Sequence, residues 1–191
     1  MEAMLAAFTM VFLAEMGDKT QLLVMGLAMK YPWQKVMAGV VLATIGNHLL
    51  AGIIGVVCGS FVEGRTISIA ASVLFIIFGL YALKDAISGE EEEEEEETHV
   101  SAEHPVRTVA AAFFIAEMGD KTQFATATLA AKYGDLAWIL CGTTMAMALA
   151  DGLGILVGTA LTKVLPKERI DLISAVVFIA FGAFGLYEIF G

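Results

Sequence analysis

The chain has 191 residues, 58% of them hydrophobic and only 17% charged, with a mean hydropathy of +0.78. Both values depart from those of soluble domains toward those of membrane proteins and argue against a soluble enzyme. The formal net charge of −10 comes largely from one run of eight glutamates at 90–97; without it 11 basic residues face 13 acidic ones, and an acidic chain with no basic patch argues against nucleic-acid binding.

Six apolar stretches follow one another along the chain, at residues 3–28, 36–58, 67–83, 106–131, 137–161 and 172–190. Each is near the ~20 residues that a helix needs to cross the hydrocarbon core of a bilayer. The first has no basic start, contains Glu15 and Asp18, and lacks a small-residue cleavage site, so it is expected to be a span and not a cleavable signal. Short polar punctuation separates most of the stretches, such as Lys30-Tyr31-Pro32 before the second and Glu63-Gly64-Arg65 before the third. The one long connection contains the glutamate run. Lipid offers no hydrogen-bond partner to the backbone, and the stretches are too long and too uniformly apolar for barrel strands. An all-α integral membrane protein with six transmembrane helices is expected. Cys58 and Cys141 both fall inside apolar stretches and do not form a disulfide framework of a secreted protein.

Basic residues set the expected orientation. Lys30, Lys35, Lys84, Arg107, Lys163, Lys167 and Arg169 flank one side of the spans, against Arg65 and Lys132 on the other. The first side is therefore expected in the cytoplasm, together with the acidic run, and both termini outside.

The two halves repeat. The string AEMGDKTQ stands at 14–21 and again, unchanged, at 116–123, an offset of 102. Lys30-Tyr31 recurs as Lys132-Tyr133 at that offset, and the segment around Gly79 recurs around Gly182 at an offset of 103. Three spans per copy is an odd number, so the second copy must enter the membrane from the opposite face. Inverted three-helix repeats of this kind build secondary transporters, with the binding site near mid-membrane where the copies meet. The expected division is a first repeat at 1–84, an acidic cytoplasmic linker at 85–105 and a second, inverted repeat at 106–191. The run at 90–97 is expected to be a solvated, self-repelling tether.

The repeated string carries Glu15, Asp18, Glu117 and Asp120 into apolar segments. Each charge at mid-membrane costs at least ~2.5–3.5 kcal/mol unless it is paired, protonated or ion-bound. The i, i+3 spacing puts the two acids of each copy on one helical face. If the two faces meet, four carboxylates surround one volume suited to a hard divalent cation. Gly17 and Gly119 permit close approach or a local break, and Thr20, Thr122, Gln21 and Gln123 add neutral oxygens, either as secondary ligands or as ordinary interhelical hydrogen-bonding groups. Lys19 and Lys121 follow their glutamates by four residues; they either pair with them, leaving a site near −2 that matches one divalent ion, or snorkel toward an interface. Met16 and Met118 offer thioethers that favour softer ions, or simply fill space. Asn47, His48 and Asp151 are the other polar residues at membrane depth. Asn47 or His48 corresponds to Asp151, and Asp151 is a candidate proton carrier. No phosphate loop, zinc-protease motif or nucleophile elbow is present in the sequence, so no catalytic residue and no resident cofactor is expected.

On these residues the chain resembles the twin-motif cation/proton exchangers, whose eukaryotic members serve the Golgi and whose bacterial members export manganese. That family is defined by two copies of E-x-G-D-[KR]-[ST] on the first and fourth of six helices, and both stand here in full, from Glu15 to Thr20 and from Glu117 to Thr122. The resemblance covers essentially the whole chain. It implies exchange of Mn2+ or Ca2+ for protons, with the Glu and Asp of each motif as ion ligands. The expected partners are therefore a divalent ion, protons and the lipid bilayer, and the expected place is a bacterial inner membrane. A cationic small-metabolite exporter and a non-transporting membrane scaffold are the alternatives from other classes.

Overall fold

The computed structural model of the chain describes residues 1–88, 104–164 and 167–190, and the regular structure among them is entirely helical. In chain order the helices are α1 (Glu2–Glu15), α2 (Lys19–Lys30), α3 (Trp33–Phe61), α4 (Gly64–Ser88), α5 (Pro105–Ala116), α6 (Lys121–Tyr133), α7 (Leu136–Val164) and α8 (Lys167–Phe190). The run at 90–97, and most of the expected linker at 85–105, lie outside the described residues.

The expected second, third, fifth and sixth stretches fall within α3, α4, α7 and α8. By length and composition α3 and the Leu136–Leu156 part of α7 can each cross a membrane, with mean hydropathies of 2.0 and 1.7. On α3, Leu42, Ile45, Leu49 and Ile53 point outward, whereas Thr44, Asn47 and His48 are buried. Apolar outside and polar inside is the reverse of a soluble helix and suits a lipid-facing one.

The first and fourth stretches depart from expectation. Each is not one helix but two, broken inside the repeated motif. Gly17 and Gly119 have φ of +78° and +85°, a left-handed conformation that side-chain-bearing residues adopt only at a cost. Met16 is extended on one side of the first break, and Asp120 on the far side of the second. The amides freed by the breaks are recaptured locally. The Gly17 N–H donates to Gln21 Oε1 at 2.9 Å, and the Gly119 N–H to Gln123 Oε1 at 2.8 Å. The motif thus encodes its own interruption: a glycine to turn, and a glutamine four residues on to catch the exposed N–H.

Small residues let the helices approach closely, and their contacts are reciprocal between the halves. A side chain at Gly79 on α4 would meet Ala175 and Ile179 on α8; one at Gly182 on α8 would meet Ser72 and Ile76 on α4. A shift of 103 residues converts one set into the other. Gly39 on α3 faces Val106 and Val109 of α5, and Gly142 on α7 faces Met4 and Ala7 of α1, again in exchange. Phe75 and Phe178, equivalent at the same offset, meet each other with ring centroids 6.0 Å apart. Around these contacts two apolar clusters form the interior, and each draws on both halves: Val11, Val40 and Phe113 in one, Met10, Phe75 and Leu129 in the other.

Candidate cation site at two helix breaks

Both breaks deliver carboxylates to the interior. Glu15 ends α1, Asp18 lies in the first break, Glu117 follows α5 and Asp120 precedes α6. Glu15, Asp18 and Asp120 each place one carboxylate oxygen so that the three oxygens lie within 4.8 Å of one another, drawing on both copies of the motif. Glu117 is outside this group of three, yet its charge acts on Glu15. The helix-face geometry expected from the i, i+3 spacing does not apply, because the helix stops between the two acids. The turn at the glycine, and not a shared face, brings Glu15 and Asp18 together.

The threonines hold the glutamates. Thr20 Oγ1 donates to Glu15 Oε1, and Thr122 Oγ1 donates to Glu117 Oε2 at 3.0 Å. Each bond fixes one carboxylate oxygen and leaves the other, Glu15 Oε2 and Glu117 Oε1, buried with no hydrogen-bond partner among the described residues. Glu15 and Glu117 are fully buried. A buried carboxylate oxygen in that state is stable only if a proton or a cation meets it.

The glutamines brace the breaks and are spent in doing so. Beyond its bond to the glycine N–H, the Gln21 amide donates to the Ala150 carbonyl on α7 at 2.7 Å. The Gln123 amide donates to Asn47 on α3, 3.3 Å from Oδ1 and 3.5 Å from the backbone oxygen. Asn47 Nδ2 in turn donates to the Phe114 carbonyl at 3.0 Å. Asn47 and both glutamines therefore tie the breaks to α3 and α7. Met118 is 55% exposed and Met16 half-buried.

These bonds also settle the alignment of the middle helices. Gln21 and Gln123 are equivalent, and they reach Ala150 and Asn47; the next residues, Asp151 and His48, are therefore the matched pair. Both are fully buried. Thr126 Oγ1 donates to the Thr122 carbonyl at 2.8 Å, so its 3.3 Å contact with His48 Nδ1 requires the ring N–H to be the donor. His48 Nε2 is left as an acceptor without a partner, and neither oxygen of Asp151 has one among the described residues. Thr126, which links His48 to the motif, has no signature in the sequence.

Lys121 is the largest departure. Its spacing suggests a pair with Glu117, but its ammonium lies 2.8 Å from Asp18 Oδ2, in the other half of the chain. The i, i+4 register is lost because α6 begins only at Lys121. The side chain of Lys19 lies outside the described residues.

Comparison with known proteins adds an independent finding. The profile of a family described as divalent cation/proton antiporter GDT1 matches residues 3–90 and 105–191. A Vibrio cholerae protein inferred to be a manganese exporter is 36% identical over 182 residues, which cover 94% of this chain and 88% of that one. A GDT1-like protein of Synechocystis is 31% identical over 199 residues, covering 93% and 95%. The chloroplastic protein PAM71 of Arabidopsis thaliana is 32% identical over 213 residues, 96% of this chain but 56% of that longer one. No solved structure matches the chain.

Proposed function

The chain belongs to the GDT1 family of divalent cation/proton antiporters, and on that premise we propose that it exports Mn2+ from the cytoplasm in exchange for protons. One observation carries the reading: three acids from two separate helix breaks converge within 4.8 Å, and one of them, Glu15, keeps a buried oxygen with no hydrogen-bond partner among the described residues. Glu15, Asp18 and Asp120 hold the ion, with Glu117 completing the charge. A discontinuous helix at mid-membrane, its broken ends turned toward an ion, is how many secondary transporters bind their cargo.

Six spans in two inverted repeats are proposed, each broken pair forming one span. The reciprocal packing of α4 with α8, and of α3–α5 with α7–α1, supports an axis that exchanges the halves. Both termini lie outside a bacterial inner membrane, and the acidic linker lies in the cytoplasm, an orientation that the distribution of Lys and Arg supports.

Transport is competition for oxygens. Protons from outside neutralise the ion-free carboxylates, cytoplasmic Mn2+ displaces them, and rocking of one repeat against the other turns the loaded site outward. Asp151 carries one of the protons: a partnerless buried carboxyl is tolerated in the neutral form, and the charges of Glu15 and Asp18 act on it. Ca2+ is the second reading. Every donor in the convergent group is a carboxylate oxygen, a set that suits Ca2+ as well as Mn2+.

Uptake of labelled ions into everted vesicles decides between them, with Mn2+, Ca2+ and lysine in competition. Mn2+ uptake driven by the pH gradient and stopped by Glu15→Gln or Asp120→Asn is the expected result. Normal Mn2+ movement in either variant, with the protein inserted at normal level, would remove the shared site. Preference for Ca2+ or inhibition by lysine would reassign the cargo.

A further inference from the structure

The Lys121 ammonium lies where a cation belongs. It is 2.8 Å from Asp18 Oδ2, and Asp18 is one of the three acids whose oxygens gather within 4.8 Å. Asp120 and Glu15, the other two, also attract it. Two cations cannot share a space of that size. At about 4 Å a monovalent and a divalent charge repel strongly even where the surroundings are partly polar. The ammonium is carried on a flexible four-carbon stem, and the side chain is 27% exposed, so it is not sealed among the acids.

We propose that Lys121 is a tethered counter-ion of the cation site, seated among the acids while the site is ion-free and displaced when the transported cation enters. The inference rests on the proposed assignment of Glu15, Asp18 and Asp120 as ligands and adds a residue that sets affinity without being a ligand. The ammonium performs two tasks. It neutralises carboxylates that would otherwise repel one another across the two breaks, holding the halves together between loads. It also competes with the bound ion and so hastens release, because a site of acids alone would bind a divalent cation tightly and let it go slowly. The pair joins the two halves of the chain, which makes the contact that breaks on loading a contact between the repeats themselves.

Two substitutions at this position have opposite expected effects. Lys121→Gln removes the competitor and tightens Mn2+ binding about tenfold, roughly 1.4 kcal/mol, while lowering the maximal transport rate. Lys121→Arg keeps the charge on a planar fork that grips a carboxylate with two bonds, so it is harder to displace and weakens Mn2+ binding severalfold. Titration of the purified full-length protein in detergent with Mn2+, followed by calorimetry, reads both. Unchanged or weaker binding in Lys121→Gln refutes the tether. If that variant fails to fold, unchanged or tighter binding in Lys121→Arg refutes it equally. Asp18→Asn and Glu15→Gln are titrated alongside. Retained binding in these shows that the cation site itself is misassigned; lost binding in them, with no tightening in Lys121→Gln, removes the tether alone.

Discussion

Gly119→Ala tests whether the motif truly interrupts its helix, because the two alternatives predict effects of opposite sign. In a continuous helix, replacing glycine with alanine stabilises by about 0.5–1 kcal/mol. At the φ of +85° found here an L side chain is strained, at a cost of about 1–2 kcal/mol. No crowding confuses the comparison, since a Cβ built at Gly119 meets nothing within 4 Å. The cost is therefore one of backbone conformation alone, and amounts to a factor of roughly 5–30 in the folding equilibrium. Gly26 provides the internal control. It lies in the interior of α2, exposed, and a Cβ there also meets nothing within 4 Å, so Gly26→Ala is expected to stabilise. Thermal denaturation of the two variants in the same detergent should move the midpoint in opposite directions by a few degrees. An upward shift for Gly119→Ala, similar to that of Gly26→Ala, would mean that the fourth apolar stretch runs as one unbroken helix and that the carboxylates are placed by some other geometry.

Three further outcomes are expected. Asp151→Asn should still exchange external for internal Mn2+ in vesicles but lose the response to an imposed pH gradient; full gradient-driven accumulation in this variant would exclude Asp151 as a proton carrier. Gly55→Ala should destabilise by about 1–3 kcal/mol, because a Cβ there runs into the Ala127 backbone carbonyl on α6, and an unchanged denaturation midpoint would contradict that approach. Deleting residues 90–97 should leave the maximal Mn2+ rate intact, since exposed carboxylates in ~0.15 M salt act only within about 8 Å. A lowered maximal rate at normal expression would make the acidic run part of the cycle.

Most of the helical content was legible in the sequence because lipid imposes so strong a rule: apolar length, with short polar punctuation, gave the positions of α3, α4, α7 and α8 closely. The broken helices were less accessible. Gly17 and Gly119 flagged the places, but a glycine in an apolar segment serves close packing as readily as a turn. What distinguishes the two is the Gln21 or Gln123 side chain bonded to the glycine amide, and that bond exists only once the break has formed. The acids were identifiable by residue type and repetition. Their pairings were not. Spacing along one helix directs Lys121 to Glu117, whereas folding brings it to Asp18, 103 residues earlier in the chain. Asn47 and His48 could not be ranked against Asp151 from an alignment that slips by one residue, and the two glutamine bonds resolved it.

That resolution bears on how an exchanger built from two copies of one string acquires a direction. Eight identical residues in each half give a site no intrinsic preference for one face of the membrane over the other. Any inequality has to reside in what surrounds the motifs, and there the halves differ in kind. Gln123 is held by Asn47, whose own side chain goes on to hold the Phe114 carbonyl, so the second break is tied to α3 through a chain of bonds. Among the described residues Gln21 is tied to α7 through the backbone of Ala150, which has no polar side chain to extend the tie. At the next position His48 is occupied by Thr126 on one nitrogen, whereas Asp151 offers two oxygens without partners among the described residues and interacts with Glu15, Asp18 and Glu117. One half is thus stiffened by neutral hydrogen bonds and the other is supplied with an additional acid. Asp151 acts on acids of both breaks, Glu15 and Asp18 at the first and Glu117 at the second, whereas its counterpart His48 adds no carboxylate, so in the proposed cycle the extra protonatable acid comes from one half alone. Under the proposed assignment the identical motifs choose the ion, and the unlike residues beside them couple it to the gradient.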